Sequence, residues 1–123
     1  MGRGIVRILI MVLLAVHVLA GVFWAGSTFV LARAGGEAAA RLFRPQMGAA
    51  TLAILAGVGL WGILHRGPPG PMESTLAVGA GCALAAAGIQ GMLRKSSPAL
   101  SQRLAALLLA VTVVCMVTAR YST

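Results

Sequence analysis

Chemistry inside an uncharged segment depends on the ionisable groups left in it, and in this chain that is one histidine. His17 lies within residues 8–32, a run without Asp, Glu, Lys or Arg. At 1.5 Å per residue it sits about 13 Å into that run. Helical spacing puts His17, Gly21, Trp24 and Thr28 on one stripe, at i, i+4, i+7 and i+11. A histidine beside a glycine gap and an aromatic wall suits an axial ligand facing the flat ring of a haem b. The other reading is a neutral His17 hydrogen-bonded to a neighbouring helix, and the sequence leaves both open.

The remaining candidates are few. His65 falls at the end of the second uncharged run, where a histidine complements the carbonyls of a helix C-terminus. It is too shallow to face His17. At the depth of His17 the other runs offer only Ala56, Gly57, Ala83, Leu84, Ala110 and Val111, none a metal ligand. A haem on His17 would then be five-coordinate, use an unusual sixth ligand, or be shared between two copies. Met11 and Met116 are thioethers that could serve a soft metal such as copper, but methionines in membrane helices mostly pack, so copper ranks behind haem. Cys82 and Cys115 form no CxxC and read as small hydrophobes. Thr28, Thr51 and Gln90 lie three to four residues from the opposite membrane face and predict a small hydrogen-bonded cluster acting as helix–helix glue.

The composition counts against several classes. The chain has no Asp, so a Ser/His/Asp triad is impossible, and no general acid/base pair lies in a span. A small proton-coupled transporter needs an intramembrane carboxylate, which is absent here. Two histidines cannot ligate two bis-histidine haems.

The elements that carry these residues follow from composition. Of 123 residues, 59% are hydrophobic and 10% charged, against about 25% charged in a soluble domain. Residues 8–32, 47–64 and 75–93 are each long enough to cross a roughly 30 Å hydrocarbon core. Residues 104–119 are short, but Pro98 offers an earlier helix start and Arg103 and Arg120 can snorkel. Unpaired backbone groups are not tolerated in lipid, so these runs are helices. The expected fold is all-α, an integral membrane four-helix bundle forming a single domain over residues 1–123, with spans at 8–32, 47–64, 75–93 and 98–119. The first run exceeds the 7–15 residues of a signal-peptide core, so it reads as an uncleaved helix.

Connections and charge complete the outline. Gly67-Pro68-Pro69-Gly70-Pro71 is a helix stop and stiff turn. Glu37 to Arg44 has helical composition and reads as an interfacial segment, with Glu37 and Arg41 at i,i+4 and Pro45 starting the second span. Ser97-Pro98 reads as N-cap and first residue of the fourth helix. The net charge of +8 would suggest nucleic acid in a soluble protein, but every basic residue falls between or beside the apolar runs. Arg33, Arg41, Arg44, Arg94, Lys95 and Arg103 outnumber Arg3, Arg7, Arg66 and Arg120. That places loops one and three in the cytoplasm and the termini outward, in a bacterial inner membrane. The expected partners are the lipid bilayer and either further copies or a larger membrane complex. Sixteen glycines are about twice the usual share of roughly 7%. They make small-residue stripes, Gly79–Ala83–Ala87–Gly91 and Ala49–Ala53–Gly57, suited to close helix packing.

The stretch from His17 through Trp24-Ala25-Gly26 to Arg33 resembles the first helix of the copper-resistance protein D (CopD-like) membrane domain and of the HemJ-type protoporphyrinogen oxidases. Arg41-Leu42-Phe43-Arg44 with Met47, the helix ending Gly59-Leu60-Trp61, and the basic loop from Arg94-Lys95 to Arg103 are also similar. The resemblance implies a four-helix membrane protein in which His17 binds haem b, with Gly21 and Trp24 lining the ring, and a redox- or copper-linked role. HemJ-type enzymes carry a lysine early in the third span, and Thr75 to Val78 offers none. An accessory subunit of a larger membrane complex is the alternative, ahead of a small transporter.

Overall fold

The computed structural model describes residues 2–65 and 67–121, so Arg66, counted above on the terminal side, lies outside the described residues. Four helices follow one another: α1 (Gly2–Arg33), α2 (Ala39–Leu64), α3 (Pro71–Leu93) and α4 (Pro98–Thr118), with a final 3-10 turn at Ala119–Tyr121. All four are long and apolar enough to cross a membrane. The protein is an all-helical four-helix bundle. Among the described residues there is no strand.

The interior is built from small residues. Ala20, Ala50, Ala53, Ala56, Ala83, Ala86 and Ala105 are buried, while Leu19, Met92 and Leu107 are 72%, 83% and 67% exposed. The largest side chains with almost no exposure are polar: Gln46, Gln90, Thr28 and Ser101. A protein in water would bury its leucines and expose its glutamines. This arrangement suits lipid, where bulky apolar groups gain nothing by hiding and close backbone approach drives association.

Two helical hairpins, α1–α2 and α3–α4, are joined mainly through α1 and α4, and α2 meets α3 only sparsely. In the first hairpin, Gly59 lets Leu13 approach and Gly57 lets the His17 ring lie against α2. In the second, a Cβ on Gly79 would lie 3.0 Å from the Cys115 Cβ. The Thr112 hydroxyl sits 2.9 Å from the Gly79 carbonyl oxygen and 3.0 Å from its own Leu108 carbonyl. The inward stripe of α3 is Gly79, Ala83, Ala86 and Gln90. Ala87 is half-buried and Gly91 exposed, because 3.6 residues per turn rotates a strict fourfold spacing off the contact face.

The turns differ from expectation in two places. Helix α2 starts at Ala39 and continues through Pro45, where a break into an interfacial segment and a span was expected. Pro45 lacks an N–H, which leaves the Arg41 carbonyl without its i+4 donor. One lost bond near the helix start, on an exposed face, is not enough to break it. Glu37 precedes the helix, so Glu37 and Arg41 do not share one, and the ion pair among the described residues is His65–Glu73. Helix α1 ends in a Schellman motif: the Gly36 N–H bonds to the Leu31 carbonyl at 2.8 Å and the Gly35 N–H to the Ala32 carbonyl at 3.3 Å. Gly35 and Gly36 have φ of +71° and +85°, and Ala38, at the N-cap of α2, has φ of +65°. Ser97 caps α4 as expected from position, with Pro98 first in the helix, though its side chain makes no capping bond.

Candidate functional site

The buried polar groups converge at one level of the bundle, near the end that carries loops one and three. Each helix contributes: Trp24 and Thr28 from α1, Gln46 from α2, Gln90 from α3 and Gln102 from α4. The Trp24 indole N–H donates to Gln90 Oε1 at 2.7 Å. Gln90 Nε2 donates to Thr28 Oγ1 at 3.0 Å and to Gln102 Oε1 at 3.2 Å. Gln46 Nε2 lies 3.2 Å from Thr28 Oγ1, 3.3 Å from Ser27 Oγ and 3.4 Å from Gln102 Oε1. The Thr28 hydroxyl closes the set by donating to the Trp24 carbonyl at 2.7 Å.

This network joins Thr28 with Gln90, as the sequence suggested, and excludes Thr51, which is exposed and bonds its own Met47 carbonyl. Gln46 and Gln102 were missed. They flank Pro45 and Arg103, at the ends of the apolar runs, where a glutamine reads as interfacial. Their signal was depth: counted from the helix ends, all three glutamines fall near the level of Thr28.

The chemistry available here is that of amides and hydroxyls. None changes protonation near neutral pH, so the cluster orients and binds but does not act as acid or base. Trp24, Thr28, Gln46, Gln90 and Gln102 are all 4% exposed or less. In that low dielectric each satisfied bond fixes helix register, and an unsatisfied atom is costly. Gln46 Oε1 is such an atom, buried and without a partner among the described residues.

His17 stands apart. Its ring is part-buried, and Nδ1 lies 2.7 Å from the Ala53 carbonyl oxygen of α2. A carbonyl only accepts, so Nδ1 carries the proton and Nε2 presents a lone pair. That is the second-shell geometry of a ligating histidine, and equally the hydrogen bond to a neighbouring helix that the sequence allowed. Gly21 and Trp24 do not join it around a slot. A Cβ on Gly21 would meet nothing within 4 Å, while Trp24 is 3% exposed with its N–H turned to Gln90. One requirement for a haem, an oriented ligand nitrogen, is met. An aromatic wall facing an open slot beside it is not, so these residues do not fit a haem inside the bundle.

The other candidate ligands are dispersed. His65 Nδ1 is 2.6 Å from Glu73 Oε2, and its ring packs at 5.2 Å from Trp61. Glu73 Oε1 also accepts from the Gly70 N–H at 2.8 Å, so this group staples the second turn. Met11 is exposed and Met116 packs beside Gly79. Cys82 and Cys115 are free thiols. Among the described residues no three His, Cys, Asp or Glu side chains come together to hold a metal. Comparison with known proteins finds no match to this chain among family models, curated sequences or solved structures.

Proposed function

We propose that this chain is a non-catalytic integral membrane subunit, a bundle that presents helix faces to other membrane-spanning helices. The observation that carries the reading is the outer face of α3. Ala77, Gly81, Ala85 and Gly88 are all exposed, and a Cβ on Gly81 or Gly88 would meet nothing within 4 Å. Small residues in this spacing let two helix backbones approach closely, which is the main source of association in lipid. The buried polar groups support the same reading, because nearly all are spent on one another. The positive-inside bias supports loops one and three facing the cytoplasm.

The test is purification from native membranes in mild detergent, with Gly81→Leu and Gly88→Leu as variants. A second integral membrane chain should co-purify with the parent and be lost from the variants, while their thermal stability as isolated bundles stays unchanged. An isolated monomer from native membranes, identical for parent and variants, refutes the reading.

A second reading is favoured by one observation, the His17–Ala53 bond that leaves Nε2 as a free donor atom. His17 then ligates a haem b at the periphery of the bundle, against a partner helix or a second copy, in line with the CopD-like resemblance. A Soret band in haem-replete protein that disappears in His17→Ala supports it. Colourless protein refutes it.

A further inference from the structure

A cleft of about 260 Å³ opens at the loop-one and loop-three end, between the N-terminal turns of α2 and α4 and the residues that follow α3. It is lined by Arg41, Arg44 and Phe43 of α2, by Arg94 and Lys95, and by Gln102 of α4. We propose that this cleft binds a phosphate group, supplied by an anionic phospholipid headgroup or by a soluble phosphate ester.

No cation of the cleft is ion-paired among the described residues, although Glu37 stands exposed in the neighbouring loop. Four cations from two separate segments share one concavity. Glu73 is engaged by His65 and Gly70 at the other end of the bundle. Like charges gathered without a counterion repel, and an anion placed among them relieves that repulsion.

The donors are also placed before any ligand arrives. The Arg94 guanidinium carbon lies 4.3 Å above the Phe43 ring centroid, which fixes the plane and leaves the edge N–H groups free. Gln102 is only 4% exposed. Its Oε1 accepts from Gln46 and Gln90, so its amide plane is fixed by the buried network. Its Nε2 makes no hydrogen bond to the described residues and belongs to a side chain that lines the cleft. That oriented amide donor is not sealed off from the cleft, and a phosphate oxygen is a fitting acceptor for it. The N-termini of α2 and α4 lie at the same cleft, and neither has a side-chain cap. The Ala39 and Arg41 N–H groups are already taken by the Gly36 and Ala38 carbonyls, so it is chiefly the positive dipole ends that favour the same charge. Basic pockets between membrane helices on the cytoplasmic side recognise anionic headgroups by this chemistry.

The inference is independent of the partner-helix reading above, since α3's outer face plays no part in it. The protein is reconstituted in nanodiscs of phosphatidylcholine alone or with phosphatidylglycerol, and separately titrated in detergent with glycerol 3-phosphate. Binding is read by native mass spectrometry and by the rise in unfolding temperature. The parent should retain one anionic lipid or one phosphate ester per chain and be stabilised by it. Arg44→Gln with Arg94→Gln should weaken binding by roughly thirtyfold, the share expected of two interfacial charges. Arg3→Gln with Arg7→Gln removes the same charge at the opposite end and should leave binding unchanged. Gln102→Leu should weaken binding as well. Stabilisation by phosphatidylglycerol alone identifies the lipid as the source, and stabilisation by glycerol 3-phosphate identifies a soluble ester. No stabilisation by either, or equal loss in both double variants, overturns the proposal.

Discussion

Gly36→Ala should be among the most damaging single-methyl changes in this protein, and Gly35→Ala supplies its control. Both glycines lie in the turn between α1 and α2 with positive φ, +71° at Gly35 and +85° at Gly36. Alanine in that region costs about 1–2 kcal/mol at either site. Only Gly36 also faces another backbone. Its added Cβ would stand 2.7 Å from the Ala99 nitrogen, 2.9 Å from the Pro98 carbonyl carbon and 3.0 Å from the Ala99 Cα. Gly35 has nothing within 4 Å. Ordinary contact begins near 3.4 Å, so the start of α4 would have to retreat by about 0.7 Å. A shift of packed backbone of this kind costs about 1–3 kcal/mol. Gly36→Ala should therefore lose about 2–5 kcal/mol and Gly35→Ala about 1–2 kcal/mol. Equilibrium unfolding in mixed micelles, followed by circular dichroism, measures both. Equal losses within about 0.5 kcal/mol would show that the close approach of the turn to α4 has no energetic weight, and would refute the reasoning.

Three further outcomes follow from the packing. Gln90→Leu removes three network bonds at about 0.6 kcal/mol each and should cost about 2 kcal/mol, whereas Gln46→Met removes longer bonds together with the unpartnered Oε1 and should be close to neutral in the same assay. Gly79→Ala places a methyl 3.0 Å from the Cys115 Cβ and should destabilise the α3–α4 hairpin by about 1–3 kcal/mol; Gly88→Ala, facing open space, should be neutral or gain up to about 1 kcal/mol from helix propensity. Ala38→Gly relieves a positive φ on an exposed alanine and should stabilise the isolated bundle by about 0.5–1 kcal/mol, read as a rise in unfolding temperature.

Much of the fold was legible because membrane solubility leaves a strong signature. Runs without charge can only be helices in lipid, so their number and approximate ends follow from counting. The site was less legible, for a reason visible in α3 and α4. Their inward and outward faces are not sorted as those of a soluble amphipathic helix are: Gln90, Ser101 and Gln102 lie inside among alanines, while exposed leucine, valine and methionine share the outside with Ala77, Gly81, Ala85 and Gly88. Hydropathy does not separate faces composed in this way. Trp24 illustrates the consequence. The spacing from His17 correctly put both on one broad side of α1, but could not tell that Trp24 turns inward to Gln90 while His17 leans on α2.

The sequence by itself determined four membrane helices, the basic ends that flank them and the absence of an embedded carboxylate. Those properties are sums along the chain, fixed by composition within each run. Only the tertiary structure decided that Gln46, Gln90 and Gln102 meet Thr28 and Trp24 at one level, that His17 donates to Ala53, and that Arg41, Arg44, Arg94 and Lys95 share a cleft. Each of these depends on the rotation and depth of one helix against another. Rotation and depth are set by which small residues allow close approach, and that is a property of pairs of surfaces, absent from any single helix.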